Sequence, residues 1–147
     1  MFRHTTTRRV EFADTDMAGI VHFARFFVFM EAAEHEALRS ALGGDRQIHF
    51  EHEGFEIGWP RVRATCEYLS PARLGDVLTI DVGLVRRGQK SLTWSIAFRL
   101  DDRDVARGEL VTICCRVGGP ALESVPIPDF LAVRLDAAPA EPSGAPA

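Results

Sequence analysis

Phe23-Ala24-Arg25-Phe26-Phe27-Val28-Phe29-Met30-Glu31-Ala32-Ala33 is the stretch that decides the fold. Phe23, Phe26, Phe27, Met30, Ala33, Ala37, Leu38 and Ala41 recur at spacings of three and four, which predicts an α-helix. Val28, Phe29 and Ala32 make its first half apolar nearly all round, so it should be enclosed by other structure. Glu34, Glu36 and Arg39 mark a wetter second half, and Gly43-Gly44 ends the helix.

Upstream, Thr5 to Phe12 is rich in β-branched residues and reads as a strand. A turn, Asp14-Thr15-Asp16-Met17-Ala18-Gly19-Ile20-Val21-His22, joins that strand to the helix. Downstream, residues 45–57 give no clear pattern. From Trp59 onward the chain is β-rich. Val62 to Leu69 is one strand. Leu78, Ile80, Val82 and Leu84 alternate with Val77, Thr79, Asp81 and Gly83. Leu92, Trp94, Ile96, Phe98 and Leu100 alternate with polar or small residues. A period of two is the mark of half-buried antiparallel strands. Asp101 to Asp104 is a turn, Val105 to Val117 a last long strand, and Gly118-Gly119-Pro120 breaks it. Pro128 to Leu135 could form a short terminal helix.

One apolar helix and one antiparallel sheet must cover each other. The expected class is therefore α+β, with a five-stranded antiparallel sheet wrapped around a long central helix. Residues 1–136 are expected to form a single domain, and 137–147, rich in Ala and Pro, a disordered tail. Open sheet edges invite pairing with a second copy.

Composition narrows the function. The 147 residues carry 17 Lys and Arg against 21 Asp and Glu, a net charge of −4, which argues against a nucleic-acid partner. No run approaches the ~18 apolar residues of a membrane span. The N-terminus has no apolar signal segment. Three cysteines, two of them adjacent, make a poor disulfide framework, so the expected location is the cytoplasm. His49 and His52 have a weak metal-ligand spacing without a third ligand, and no metal is expected.

Chemistry is expected at the turn. A helix N-terminus offers free N–H groups and partial positive charge. Asp16 beside it could act as a base or nucleophile, or simply cap the turn. Asp14, two residues earlier, is expected to be a structural turn residue.

Phe12-Ala13-Asp14-Thr15-Asp16, then Gly19-Ile20-Val21, then aromatic residues into the helix, resembles the hotdog-fold acyl-CoA thioesterases. The likeness is to the 4-hydroxybenzoyl-CoA thioesterase branch and its relatives linked to the Tol–Pal operon. Tyr68-Leu69-Ser70-Pro71-Ala72-Arg73 with Gly75-Asp76 supports it, and the resemblance covers about Thr7 to Val117. It implies a thioester hydrolase that converts an acyl- or aroyl-CoA to the free acid and CoA. Asp16 would be nucleophile or general base, and the Phe23 backbone N–H would polarise the thioester carbonyl. His22 stands where the operon-linked relatives have tyrosine before their histidine, so it is expected only to line the pocket or orient a water. Glu31 matches an acidic position near the substrate ring, and Trp59 could wall the acyl pocket. Arg86, Arg87, Lys90 and Ser91 form a hairpin that would bind CoA phosphates. The resemblance further implies a homodimer or homotetramer with sites at a dimer interface, and no cofactor beyond the CoA thioester substrate. Rival readings are an acyl-ACP thioesterase, a hydratase of the same fold, or a non-catalytic acyl-CoA-binding module.

Overall fold

A computed structural model describes residues 1–137. The expected tail lies, from residue 138 onward, outside the described residues. The chain runs β1 (Arg3–Arg9), a 3-10 turn (Phe12–Asp14), α1 (Arg25–Ala41), β2 (Phe50–His52), β3 (Phe55–Gly58), β4 (Arg61–Tyr68), β5 (Val77–Arg87), β6 (Ser91–Leu100), β7 (Arg103–Ile113), β8 (Cys115–Val117), β9 (Glu123–Ser124) and α2 (Asp129–Asp136).

The period-two segments become the middle of a five-stranded antiparallel sheet, ordered β1-β5-β6-β7-β4. Leu78, Ile80, Val82 and Leu84 are buried on its inner face beside Leu92, Trp94, Ile96 and Phe98. Helix α1 lays Phe26, Phe29, Met30, Ala33, Ala37 and Leu38 against them. Each large side chain removed from water here contributes roughly 2 kcal/mol. Gly108 permits the closest approach: a Cβ there would fall 2.0 Å from Met30 Sδ and 3.0 Å from the Thr65 carbonyl oxygen.

Three features differ from the sequence reading. The first half of α1 is not enclosed all round; Val28 and Glu31 are exposed, because the sheet covers only one side of the helix. Glu34 is not on a wet face but buried, drawn in by Arg61. The last long strand divides at Cys114, whose N–H donates to the Lys90 carbonyl (2.7 Å) and whose carbonyl accepts from Val125 N–H (2.9 Å). Beyond it β8 joins a second antiparallel sheet, β2-β3-β8-β9, whose β2 and β3 come from the region that showed no pattern. Helix α2 forms where a short terminal helix was expected and buries Leu131 and Leu135.

Candidate active site

The turn after β1 is closed by its own main chain. Asp16 N–H donates to Ile20 O (3.0 Å), and Gly19 N–H to Asp16 O (2.9 Å). Gly19 takes φ 75°, a conformation that glycine adopts without steric cost. Asp16 Oδ1 accepts the Ala18 N–H at 2.8 Å, which orients the carboxylate, and the side chain remains exposed. Val21 N–H donates to Ala72 O (2.8 Å), tying the turn to the segment after β4.

Helix α1 begins two residues beyond Phe23. His22 Nδ1 accepts the Ala24 N–H at 3.2 Å, and His22 O accepts the Arg25 N–H at 2.9 Å. The Phe23 N–H between them has no acceptor among the described residues. It is a free donor at a helix N-terminus, where partial positive charge accumulates. Tyr68 Oη donates to Phe23 O at 3.0 Å and fixes that residue from the β4 side. His22 stacks on the Phe23 ring with centroids 4.6 Å apart. It therefore serves the helix end and does not line the cleft.

Asp16, Ile20, Phe23, Phe26, Tyr68 and Ala72 are among the residues around a cleft of about 430 Å³. Its walls are largely apolar, and Phe26 meets both Tyr68 and Phe98 edge-on at 5.6 and 5.3 Å. A carboxylate and the residue bearing a free amide thus border one apolar hollow.

The other candidates lie elsewhere in the protomer. Arg9 pairs with Val77 at the Asp16 end of the sheet, whereas Arg87 pairs with Leu92, and Arg61 with Thr112, at the opposite end. The eleven residues of β5 separate the two by roughly 30 Å. Trp59 is buried and donates from Nε1 to Ile48 O at 2.8 Å. Glu31 lies 3.4 Å from Arg61, whose guanidinium also holds the buried Glu34 and lies 3.1 Å from His35 Nε2. Burial raises the Glu34 pKa, and Arg61 only partly offsets this. Burial, then the Arg61 charge, lowers that of His35.

In the hairpin, Arg87 makes a two-pronged ion pair with Asp136 of α2 (2.6 and 2.5 Å). Lys90 Nζ is 3.4 Å from Ser124 Oγ and the Ser124 carbonyl. Ser91 closes the hairpin through its carbonyl, which accepts the Gly88 N–H at 2.9 Å. Arg86 is exposed.

Residues 10–135 match the model of the thioesterase-like superfamily. The chain belongs to that family. Among the relatives of this thioesterase is the 1,4-dihydroxy-2-naphthoyl-CoA hydrolase of Thermosynechococcus vestitus, 36% identical over 138 residues, 92% of this chain and 90% of the relative. A solved structure of BH1999 gentisyl-coenzyme A thioesterase is 27% identical with a TM-score of 0.71, covering 90% of this chain and 99% of that one. A 4-hydroxybenzoyl-CoA thioesterase mutant bound to 4-hydroxybenzoyl-CoA shares the fold at TM-score 0.75 and 19% identity, covering 92% and 99%. The hotdog α+β fold, membership of the thioesterase family and the enzyme class, thioester hydrolase, stand as the sequence implied.

Sequence reasoning on this thioesterase missed three organising side chains, two at the Asp16 site and one at the far end of the sheet. Tyr68 was quoted only as motif, yet it holds Phe23. Arg25 grips Asp14 with Nε at 2.9 Å and a terminal nitrogen at 2.6 Å. Arg61 organises Glu31 and Glu34. A lone arginine in an apolar helix start was the one available signal for Arg25.

Proposed function

We propose that this thioesterase hydrolyses aromatic acyl-CoA esters, with Asp16 as the reacting carboxylate and the Phe23 N–H as the oxyanion donor. The carrying observation is that the exposed Asp16 carboxylate and the residue with the unpaired amide border the same aromatic-walled cleft. With the thioester carbonyl oxygen on that amide, negative charge developing there meets a preorganised donor. Asp16 either attacks the carbonyl carbon, giving a mixed anhydride that water cleaves, or takes a proton from the water that attacks. Either route releases CoA thiol and the free acid, and neither requires a metal or organic cofactor. Phe23, Phe26 and Tyr68 supply the aromatic walls. The substrate of the 36%-identical naphthoyl-CoA hydrolase points to the same class.

The working unit in this reading is a homodimer paired through β4, which can assemble further into a tetramer. β4 is a free edge of the sheet, and Val62, Tyr68 and Leu69 on or beside it are exposed. The opposite edge, β1, is Arg-His-Thr-Thr-Thr-Arg-Arg and far more polar. Antiparallel pairing of two β4 strands sets the Arg61 end of one against the Tyr68 end of the other. Glu31 and Arg61 of one copy then approach the cleft of its partner, and the phosphate-binding hairpin, led by the exposed Arg86, comes from the far end of the sheet. A cytoplasmic setting fits the three free cysteines.

The test is thiol release over a panel of aromatic, short, branched and long-chain CoA esters, with the matching acyl-ACPs. Benzoyl- and naphthoyl-type CoA esters should give the highest kcat/KM. A clear preference for straight-chain or carrier-protein esters would overturn the substrate assignment, and binding without thiol release would overturn the catalytic one.

A further inference from the structure

Asp14 was expected to be a scaffold residue, and its surroundings show a more specific arrangement. Its side chain is 1% exposed and accepts from every side. Oδ2 takes the Glu11 N–H at 2.9 Å. Oδ1 takes Arg25 Nε at 2.9 Å and a terminal Arg25 nitrogen at 2.6 Å, with Arg8 at 3.8 Å. Its main-chain carbonyl accepts the His22 N–H at 2.8 Å. Asp14 therefore grips the helix start at His22 and Arg25, the two residues that bracket Phe23. It is also two bonded residues away from Asp16.

We propose that Asp14 is a positioning residue, which through Arg25 and the His22 amide fixes the Phe23 N–H relative to the Asp16 carboxylate. This rests on the roles given above to Asp16 and Phe23. The physical reason is geometric. A nucleophile and an oxyanion donor on separate segments work together only at a set separation, and a misplacement near 1 Å can cost about a hundredfold in rate. The charged pair supplies what a neutral turn residue would not, since the guanidinium fork fixes direction as well as distance.

The experiment is a double-mutant cycle on the full-length enzyme, with kcat expressed per folded molecule. Asp14→Asn keeps the size and the acceptor for Glu11 N–H but gives up the charge that holds Arg25. It should lower kcat tenfold to a hundredfold with KM within twofold, and Arg25→Gln should match it. The double variant Asp14→Asn/Arg25→Gln should be no slower than either alone. In an Asp16→Asn background, Asp14→Asn should change the residual single-turnover rate less than twofold. Equal losses in both backgrounds, or a loss accounted for entirely by the unfolded fraction, would overturn the proposal. Should Asp14→Asn not fold, Arg25→Lys carries the test: it keeps the charge without the fork, and a threefold to tenfold fall in kcat at constant KM is expected. Unchanged kcat there would overturn the proposal. The two readings separate cleanly: full turnover by Asp16→Asn removes the catalytic assignment, whereas full turnover by folded Asp14→Asn beside an inactive Asp16→Asn removes only the positioning role.

Discussion

At one end of the sheet, Asp16 and Phe23 border a cleft, the Phe23 amide without an acceptor among the described residues. At the other end, the guanidiniums of Arg61 and Arg87 are held by Glu34 and Glu31, and by Asp136. Both ends are charged, but their charges have different work. Where carboxylates already embrace a cation, the result is a fixed joint between elements: α1 to β4, and β5 to α2. Where a carboxylate has only one local amide on it, as at Asp16, the proposed reading leaves it for a substrate. The acidic residues of this chain divide by what meets them and not by their number.

The sharpest way to break the contrast is Asp16→Asn. It keeps the turn, since the amide oxygen can still accept from Ala18, and removes the charge. A fall in kcat of about 10²–10⁴ is expected, with a thermal midpoint close to wild type. Steady-state thiol release and a melting curve check it, and near-normal turnover would erase the difference between the two ends.

Next in size is Arg61→Met. It strands Glu34, 1% exposed, without its partner and should cost about 3 kcal/mol at neutral pH by denaturant unfolding. The sign with pH follows from burial. Glu34 already has a raised pKa, so the native state binds its proton more readily than the unfolded chain. The group favours the fold at low pH, and that contribution is lost as pH rises through its native value. The deficit of Arg61→Met should therefore shrink as pH is lowered through the raised native value of Glu34; a constant deficit would show that the ion pair is not what matters there.

A smaller effect should separate two neighbours in the hairpin. Arg86→Ala is expected to raise KM for CoA esters about threefold to tenfold, as loss of one charge-assisted phosphate contact would. Arg87→Ala should chiefly lower stability, because its guanidinium is already spent on Asp136. Equal KM effects would mean that Asp136 yields Arg87 to the ligand. Smallest of all is Thr112→Val. The Thr112 hydroxyl is buried with no protein partner among the described residues, so replacing it should leave stability within about 1 kcal/mol or improve it.

How much of this was legible in the sequence follows from distance along the chain. The α1 pattern and the alternation in β5 and β6 are local, and they gave the helix, the five-stranded sheet and the place of the Asp16 turn. Asp14 is buried at the end of a 3-10 turn and Asp16 exposed beyond it; an extended chain would have put residues two apart on one face, and the difference comes from the partners of Asp14, Glu11 N–H and Arg25. What stayed hidden depends on partners far away in sequence. Glu34 reads as a surface residue until Arg61, 27 positions on, is seen beside it. Tyr68 reaches Phe23 across 45 residues, and Arg87 reaches Asp136 across 49. The β2–β3 hairpin has short strands without alternation, and its turn at Glu53 (φ 51°) and Gly54 (φ 84°) offers only one glycine as a signal.

The strand order also carries a consequence for biosynthesis. β1 is made first, yet its partner is β5, with Arg9 beside Val77 about 70 residues later. The Asp16 turn leans on the same late segment through Val21 to Ala72 and Gly75 to Val10. On the ribosome β1 must wait, unpaired by β5, until β5 has emerged, and the Asp16 turn cannot take its final shape before then. The Asp16 turn is thus made before the segment it leans on, and truncated or stalled chains that end before β5 carry Asp16 without the contacts that shape its turn.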